Sequence, residues 1–311
     1  MGTIQRFPYF AHTLTRFRMK LKDRTAYRES AALLEDFQKT FAQKILLCEG
    51  VDIVTSPTTG KRAVKYNPTH QDLVDTSEDN NPIRYDIFKD VPVWSIFKRK
   101  KSPVRKGDGN PLLYAFKNER GWDFASPYDE FLFKRQITKI LTKFRELHEG
   151  GTTILLPSTH SLNQMVADLY KKTDPSVLLI KGVLHKSSIE QVFDACDSPN
   201  SLFCKHYGLE SEDKLEELSE YLNGMEDKNN GYFSYHDIPD MEMREVIENS
   251  MYMEPDAYAK FGKQINRRNI LLIDDSITLG KSLSEAILLL RSTFVPKSIT
   301  ILTLFSPLAD K

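Results

Sequence analysis

The stretch Asn269–Ser282 reads NILLIDDSITLGKS and decides how the rest of the chain is interpreted. Ile270 to Ile273 form a short, unbroken apolar run, which is typical of a strand buried on both faces of a parallel sheet. Asp274 and Asp275 fall at the predicted end of that strand, and apolar residues recur at helical spacing from about Gly280. The sequence therefore predicts a strand, a loop and a helix in direct succession.

The loop between this strand and this helix has the composition of an anion site. Small and hydroxylated residues at a helix start leave backbone N–H groups free, and the helix dipole favours a negative charge there. The two carboxylates just before the loop would repel a bare phosphate. We therefore expect them to accept hydrogen bonds from sugar hydroxyls or to hold a magnesium ion. Together, the carboxylates and the loop predict a sugar-phosphate site.

The same segment resembles the phosphoribosyl-pyrophosphate (PRPP) signature of type I phosphoribosyltransferases, in which a strand and an acidic pair precede a Thr/Gly-rich loop and a helix. The resemblance implies that Asp274 and Asp275 are the catalytic pair, contacting the ribose hydroxyls and Mg²⁺. The implied 5′-phosphate loop comprises Ser276, Ile277, Thr278, Leu279, Gly280, Lys281 and Ser282. The family usually has threonine before the glycine, so Leu279 removes one hydroxyl donor from this loop.

The order of elements around the signature predicts an α/β domain over residues 126–311. Its fold class would be a Rossmann-like parallel sheet of the type I phosphoribosyltransferase kind, with helices on both faces. Ser126 as N-cap and Pro127 at the first helical position predict a long helix with an apolar stripe. Further strands are predicted at Thr152–Pro157, Ser176–Leu184 and Ser298–Phe305. The stripe consists of Phe133, Ile137, Ile140, Leu141 and Phe144.

Two further parts of the site are implied by the resemblance alone. The loop after the first strand would bind pyrophosphate through Ser158, Thr159, His160 and Ser161. Lys181 and Lys186, around the second strand, are the candidate lid cations. Residues 189–256 exceed the usual mobile loop and are interpreted as a helical insertion that covers the site.

Residues 1–125 are interpreted as an α+β accessory or hood region. Its segment Asn110–Phe124 is similar to a part of ComF-type phosphoribosyltransferases, without their cysteine zinc module. Pro68–Pro82 is polar and acidic and predicts an exposed loop. A basic run could contact a polyanion or form a solvated loop. The run contains Lys98, Arg99, Lys100, Lys101, Arg105 and Lys106.

Composition restricts the function classes. The 311 residues include 43 basic and 43 acidic ones, so no global field favours nucleic acid or a membrane. The apolar runs are too short to span a bilayer, and no signal peptide is recognised. Three widely spaced cysteines predict neither disulfides nor zinc, which suits a cytoplasmic protein.

The leading functional prediction is a magnesium-dependent glycosyltransferase of nucleotide metabolism, which moves ribose 5-phosphate from PRPP to a nitrogen acceptor. A catalytically degenerate sensor of PRPP or nucleotide stays open as the alternative, as do an association with nucleic acid and a homodimer. Response-regulator receivers also open with an apolar strand and an acidic pair. They need about a hundred further residues with a phosphoacceptor Asp, and Asp310 is the one late carboxylate here.

Overall fold

The computed structural model describes residues 50–56, 59–67, 73–101, 110–148, 151–155, 157, 161–226, 229–277 and 280–307. Its strands are β1 (Val51–Thr55), β2 (Arg62–Tyr66), β3 (Val74–Asp75), β4 (Ile83–Phe88), β5 (Val91–Arg99), β6 (Asp123–Phe124), β7 (Thr152–Leu155), β8 (Leu178–Ile180), β9 (Leu184–Lys186), β10 (Met251–Met253), β11 (Asn269–Ser276) and β12 (Ser298–Phe305). Its helices are α1 (Asn110–Lys117), α2 (Pro127–Leu147), α3 (Leu162–Thr173), α4 (Ile189–Asp197), α5 (Leu202–Tyr207), α6 (Ser211–Glu226), α7 (Met241–Val246), α8 (Ala257–Ile265) and α9 (Lys281–Thr293).

The central sheet has the strand order β3-β5-β12-β11-β7-β8, and β4 also pairs with β5. The neighbours from β5 to β8 are parallel, whereas β3 and β4 run antiparallel to β5. The chain is therefore an α/β protein with a mixed sheet. β5 belongs to the region that the sequence assigned to an accessory part, yet Phe97 pairs with Phe305 in β12. Residues 83–99 are thus part of the same sheet as the predicted domain.

Helices cover both faces of this sheet because its buried strands alternate their apolar side chains between two cores. Leu271 and Ile273 of β11 contribute to a core shared with α1, α2 and α3. Ile270 and Leu272 contribute to a second core shared with α8 and α9. The apolar stripe of α2 is fully buried, as the sequence predicted, and each such side chain stabilises the fold by about 1.5–3 kcal/mol.

Several predicted boundaries are confirmed by the structure. Ser126 caps α2 and its side chain accepts a hydrogen bond from the backbone of Asp129, with Pro127 as the first helical residue. The predicted strand Ser298–Phe305 has the bounds of β12. The predicted strand Ser176–Leu184 is wrong as a single element. Gly182 adopts a left-handed φ of 69° there and separates β8 from β9.

A helical unit lies between β9 and β10, which pair with each other in antiparallel register. The unit contains α4 to α7 and packs around its own apolar cluster, which includes Val192, Phe203, Leu218 and Ile247. The segment predicted as an insertion, residues 189–256, covers this helical unit and β10. The chain thus leaves the sheet after β8, folds the unit, and returns through β10.

The predicted exposed loop at Pro68–Pro82 is wrong for its described part. Asp75 is buried, and its carboxylate accepts hydrogen bonds from Ser77 N at 3.0 Å and Asn80 Nδ2 at 2.8 Å. The side chain of Asn81 is also buried and donates to the carbonyl of Asp75 at 3.1 Å. These bonds pair the carboxylate of Asp75 and the amide N–H groups of Asn81 internally, which helps a polar sequence to be buried.

Candidate functional site

The edge between β7 and β11 is the point where the strand order reverses. The connection from β7 through α3 leads outward to β8, whereas the connection from β11 through α9 leads in the opposite direction to β12. Open α/β sheets bind ligands in the crevice outside the carboxyl ends of the strands at such a point. The strands that precede the two predicted phosphate loops, β7 and β11, therefore both end at this crevice.

Asp274 and Asp275 lie in the last part of β11, at its carboxyl end. Asp274 is in register with Thr303 of β12, one residue beyond the pairing of β11 with β7. Its Oδ1 accepts hydrogen bonds from the backbone N of Asp275 at 2.9 Å and from Asn163 Nδ2 at 3.4 Å. Asn163 comes from the first turn of α3, so a side chain beyond the predicted pyrophosphate loop reaches the acidic pair.

Asp275 forms an ion pair with Lys117, the last residue of α1. The distance between Asp275 Oδ2 and Lys117 Nζ is 2.6 Å, and the two side chains are 14% and 16% exposed. Ser276 Oγ donates to the other carboxylate oxygen, Asp275 Oδ1, at 2.9 Å. The predicted catalytic carboxylate is therefore held on both oxygens by side chains of this chain.

The charges at this site change one another's protonation. Burial, and then the neighbouring charge of Asp275, raise the pKa of Asp274 to about 7. The hydrogen bonds from the Asp275 backbone and from Asn163 and the charge of Lys117 oppose this rise. Burial alone would lower the pKa of Lys117, but the attraction of Asp275 outweighs it and raises that pKa. Near neutral pH, Lys117 therefore carries a positive charge, and the carboxyl group of Asp274 is close to its pKa, so both its protonated and its ionised forms are present.

The structure separates the two predicted lid cations. Lys186 ends β9, is half-buried, and lies within electrostatic range of both Asp274 and Asp275. Burial lowers the pKa of Lys186, although both aspartates oppose that change. Lys181 is exposed to solvent between β8 and β9.

The predicted 5′-phosphate loop is described at its two ends. Ile277 is buried, and its carbonyl accepts a hydrogen bond from Arg99 Nη2 at 3.3 Å. Gly280 is the N-cap of α9 with φ at 72°, and a Cβ atom there would lie 2.8 Å from Cζ of Phe88. Lys281 Nζ donates to the carbonyl of Glu245 in the helical unit at 2.8 Å. Ser276 belongs to β11, Ser282 is half-buried, and Thr278 and Leu279 lie outside the described residues.

The predicted pyrophosphate loop is described at one residue. Ser161 is exposed and precedes α3, without a side-chain capping bond. Ser158, Thr159 and His160 lie outside the described residues.

The described residues of the basic run, 98–101, do not form one polyanion surface. Arg99 is buried and donates from Nε to the carbonyl of Ser306 and from Nη1 to Asn110 Oδ1, both at 2.6 Å. Its prediction as a polyanion contact is wrong, because it connects β12, α1 and the loop after β11. Lys100 lies 3.6 Å from the buried carboxylate of Asp75. Lys98 is half-buried, Lys101 is exposed, and Arg105 and Lys106 lie outside the described residues.

The helical unit contributes side chains near the acidic pair. Arg120 Nη2, just beyond α1, donates to His236 Nε2 of the helical unit at 2.6 Å. Burial, and then the charge of Arg120, lower the pKa of His236. Asp237 is among the charges that act on Lys186. The turn Tyr235–Asp237 therefore contacts the segment just beyond α1 through His236, and Asp237 lies within electrostatic range of Lys186.

A magnesium ion held by the protein alone does not fit these residues. No group of three or more His, Cys, Asp or Glu side chains within the described residues converges as metal ligands. The carboxylate of Asp275 is paired with an ammonium group, and Asp274 faces an amide N–H donor. Nitrogen donors of this kind repel or fail to bind Mg²⁺, which prefers oxygen ligands.

Sequence reasoning missed Lys117, Asn163 and Arg99. Lys117 stood beside Phe116 in the segment similar to ComF-type proteins, and Asn163 stood in the first turn after the pyrophosphate loop. Neither position carried a sign of contact with residue 274 or 275.

No protein-family model matches the chain, and no curated protein matches its sequence. In the described part of the chain, no helix is long and apolar enough to cross a membrane.

Proposed function

We propose that the chain is a phosphoribosyltransferase, which transfers ribose 5-phosphate from PRPP to a nitrogen acceptor and releases pyrophosphate. The supporting observation is the position of Asp274 and Asp275, which lie at the strand end beside the point where the strand order reverses. The helices α3 and α9 follow the two strands that end at this point, β7 and β11. The finer fold of the type I phosphoribosyltransferase kind belongs to the same proposal.

The described residues suit the charges of this reaction. The bond from ribose C1 to a pyrophosphate oxygen breaks with its electron pair on the oxygen, and the acceptor nitrogen bonds to C1 and releases its proton to solvent. The carboxylates stabilise the positive charge that develops on the sugar, and they also accept hydrogen bonds from the ribose hydroxyls. Lys117 and Lys186 offer ammonium groups to the departing pyrophosphate. We expect the helical unit, which contacts the segment beyond α1 through Arg120 and His236, to limit the access of water, which would otherwise capture the sugar.

Calorimetric titration of PRPP into the wild type and into Asp274→Asn tests the binding step. The substitution keeps the size of the side chain and removes one charged acceptor of a ribose hydroxyl. We expect a loss of affinity of about 10- to 100-fold. Asp194→Asn is the matched control, because Asp194 is an exposed carboxylate on α4. Equal PRPP affinity in wild type and Asp274→Asn would contradict the proposed site.

A PRPP-sensing regulator without transfer activity is the second candidate. The observation that favours it is the ion pair of Lys117 with Asp275, which occupies a carboxylate that an active enzyme needs for substrate. Release of pyrophosphate on mixing the protein with PRPP and a panel of nitrogen acceptors separates the two. PRPP binding without pyrophosphate release supports the sensor, and release above the Asp274→Asn background supports the enzyme.

A further inference from the structure

We propose that this site binds its phosphosugar without a divalent cation at the acidic pair, and that Lys117 supplies the positive charge instead. The inference rests on the proposed phosphosugar function and specifies how that function is met. It starts from the disagreement between the magnesium role predicted for Asp274 and Asp275 and the side chains that surround them.

Lys117 occupies the place beside Asp275 where a cation would bind. Its Nζ lies 2.6 Å from Asp275 Oδ2, and both groups are largely shielded from water. A divalent cation on that oxygen would have to displace the ammonium group. Because both partners are shielded, such a displacement leaves a charge without its counter-ion in a poorly hydrated place.

Helix α1 holds Lys117 in position beside Asp275. Leu112, Leu113 and Ala115 of this helix are buried in the core beneath the sheet. The first residue of α1, Asn110, accepts a hydrogen bond from the buried Arg99. The helix is therefore fixed at its start and along its length, so Lys117 is presented to Asp275 by a rigid element.

The charges of the site already balance, which leaves no surplus negative charge for a second cation. Asp274 and Asp275 contribute two negative charges at most, and Lys117 and Lys186 contribute two positive ones. With all four ionised, the formal charge is zero, so no net attraction draws a divalent cation. The ammonium groups of Lys117 and Lys186 offset the repulsion between the two carboxylates and a phosphate group, and both can donate hydrogen bonds to it.

Lys117→Met provides the test, since methionine keeps the apolar stem and removes the charge. Two titrations are made on the full chain. In the first, PRPP is added in excess EDTA or in Mg²⁺. In the second, Mn²⁺ alone is added, and electron paramagnetic resonance measures the free ion. We expect the wild type to bind PRPP with similar affinity in EDTA and in Mg²⁺ and not to bind Mn²⁺. We expect Lys117→Met to lose PRPP affinity in EDTA by about 10- to 100-fold and to gain Mn²⁺ binding.

Two further variants control for the fold. Lys117→Arg keeps the charge and should behave as the wild type in both titrations. Lys134→Met removes a lysine that pairs with Glu130 on the surface of α2, and should also leave both titrations unchanged.

Each outcome decides the inference. Wild-type PRPP binding that requires Mg²⁺, or Mn²⁺ binding as strong in the wild type as in Lys117→Met, would overturn it. If the wild type binds no PRPP in either medium, the proposed function fails, while the Mn²⁺ titration still decides whether Lys117 excludes a cation. Loss of the fold in Lys117→Met, seen as an absent melting transition, leaves the wild-type arms and Lys117→Arg to decide.

Discussion

Gly280 is the residue whose replacement most directly tests the geometry of the loop after β11. In Gly280→Ala, the new methyl group would lie 2.8 Å from Cζ of Phe88, at a backbone φ of 72°. The left-handed conformation costs a non-glycine residue about 1–2 kcal/mol. Overpacking against the partly buried ring of Phe88 costs about a further 1–3 kcal/mol. We therefore expect Gly280→Ala to lower the free energy of unfolding by about 2–5 kcal/mol.

Gly121→Ala is the matched control for this prediction. Gly121 also has φ at 72°, but no atom lies within 4 Å of the Cβ position. It should show only the backbone cost of about 1–2 kcal/mol. Urea unfolding followed by tryptophan fluorescence measures both variants, and Phe88→Leu combined with Gly280→Ala should recover part of the difference. Equal destabilisation in the two alanine variants would refute the close approach of Phe88.

Two further predictions concern buried charges. Arg99→Met should lower the free energy of unfolding by about 3 kcal/mol, because Asn110 and two backbone carbonyls lose a charged hydrogen-bond donor. Urea unfolding measures this loss, with Lys101→Met as the control. Burial alone would raise the pKa of Asp75, but its hydrogen bonds to Ser77 and Asn80 and the charge of Lys100 lower it. The stability from Asp75 is therefore present above its ordinary pKa of about 4 and is lost as the pH falls through the lowered value. Asp75→Asn should be less stable at neutral pH and lose less stability on acidification, which thermal unfolding across pH would show; an unchanged acid slope would contradict this.

Local sequence patterns predicted the bounds of those elements whose hydrophobic periodicity matches their burial in the structure. The helix α2 combined an N-cap, a proline at the first position and a continuous apolar stripe, and each signal points to the same boundaries. The strand β12 and the succession of β11 and α9 were equally consistent. The α/β class could therefore be predicted from the sequence alone, whereas the antiparallel strands β3 and β4, which make the sheet mixed, were not part of the predicted parallel sheet.

Contacts between distant residues could not be predicted in this way. Lys117 and Asp275 are 158 positions apart, and the lysine reads in isolation as the ordinary basic end of a helix. Arg99 reads as one charge in a solvated run, because its carbonyl partners at Ile277 and Ser306 leave no mark in the local sequence. The buried loop around Asp75 could not be predicted for the same reason, since the hydrogen bonds that its carboxylate accepts from Ser77 and Asn80 form only in the folded chain.

The pairing of Leu184–Lys186 with Met251–Met253 brings the two ends of the helical unit side by side. A segment that leaves a fold and returns to it at adjacent points can change in length or sequence without altering the order of the remaining strands. The central sheet and the helical unit can therefore diverge at different rates during evolution. A short turn in place of residues 187–250 is accordingly the natural truncation for producing the sheet by itself.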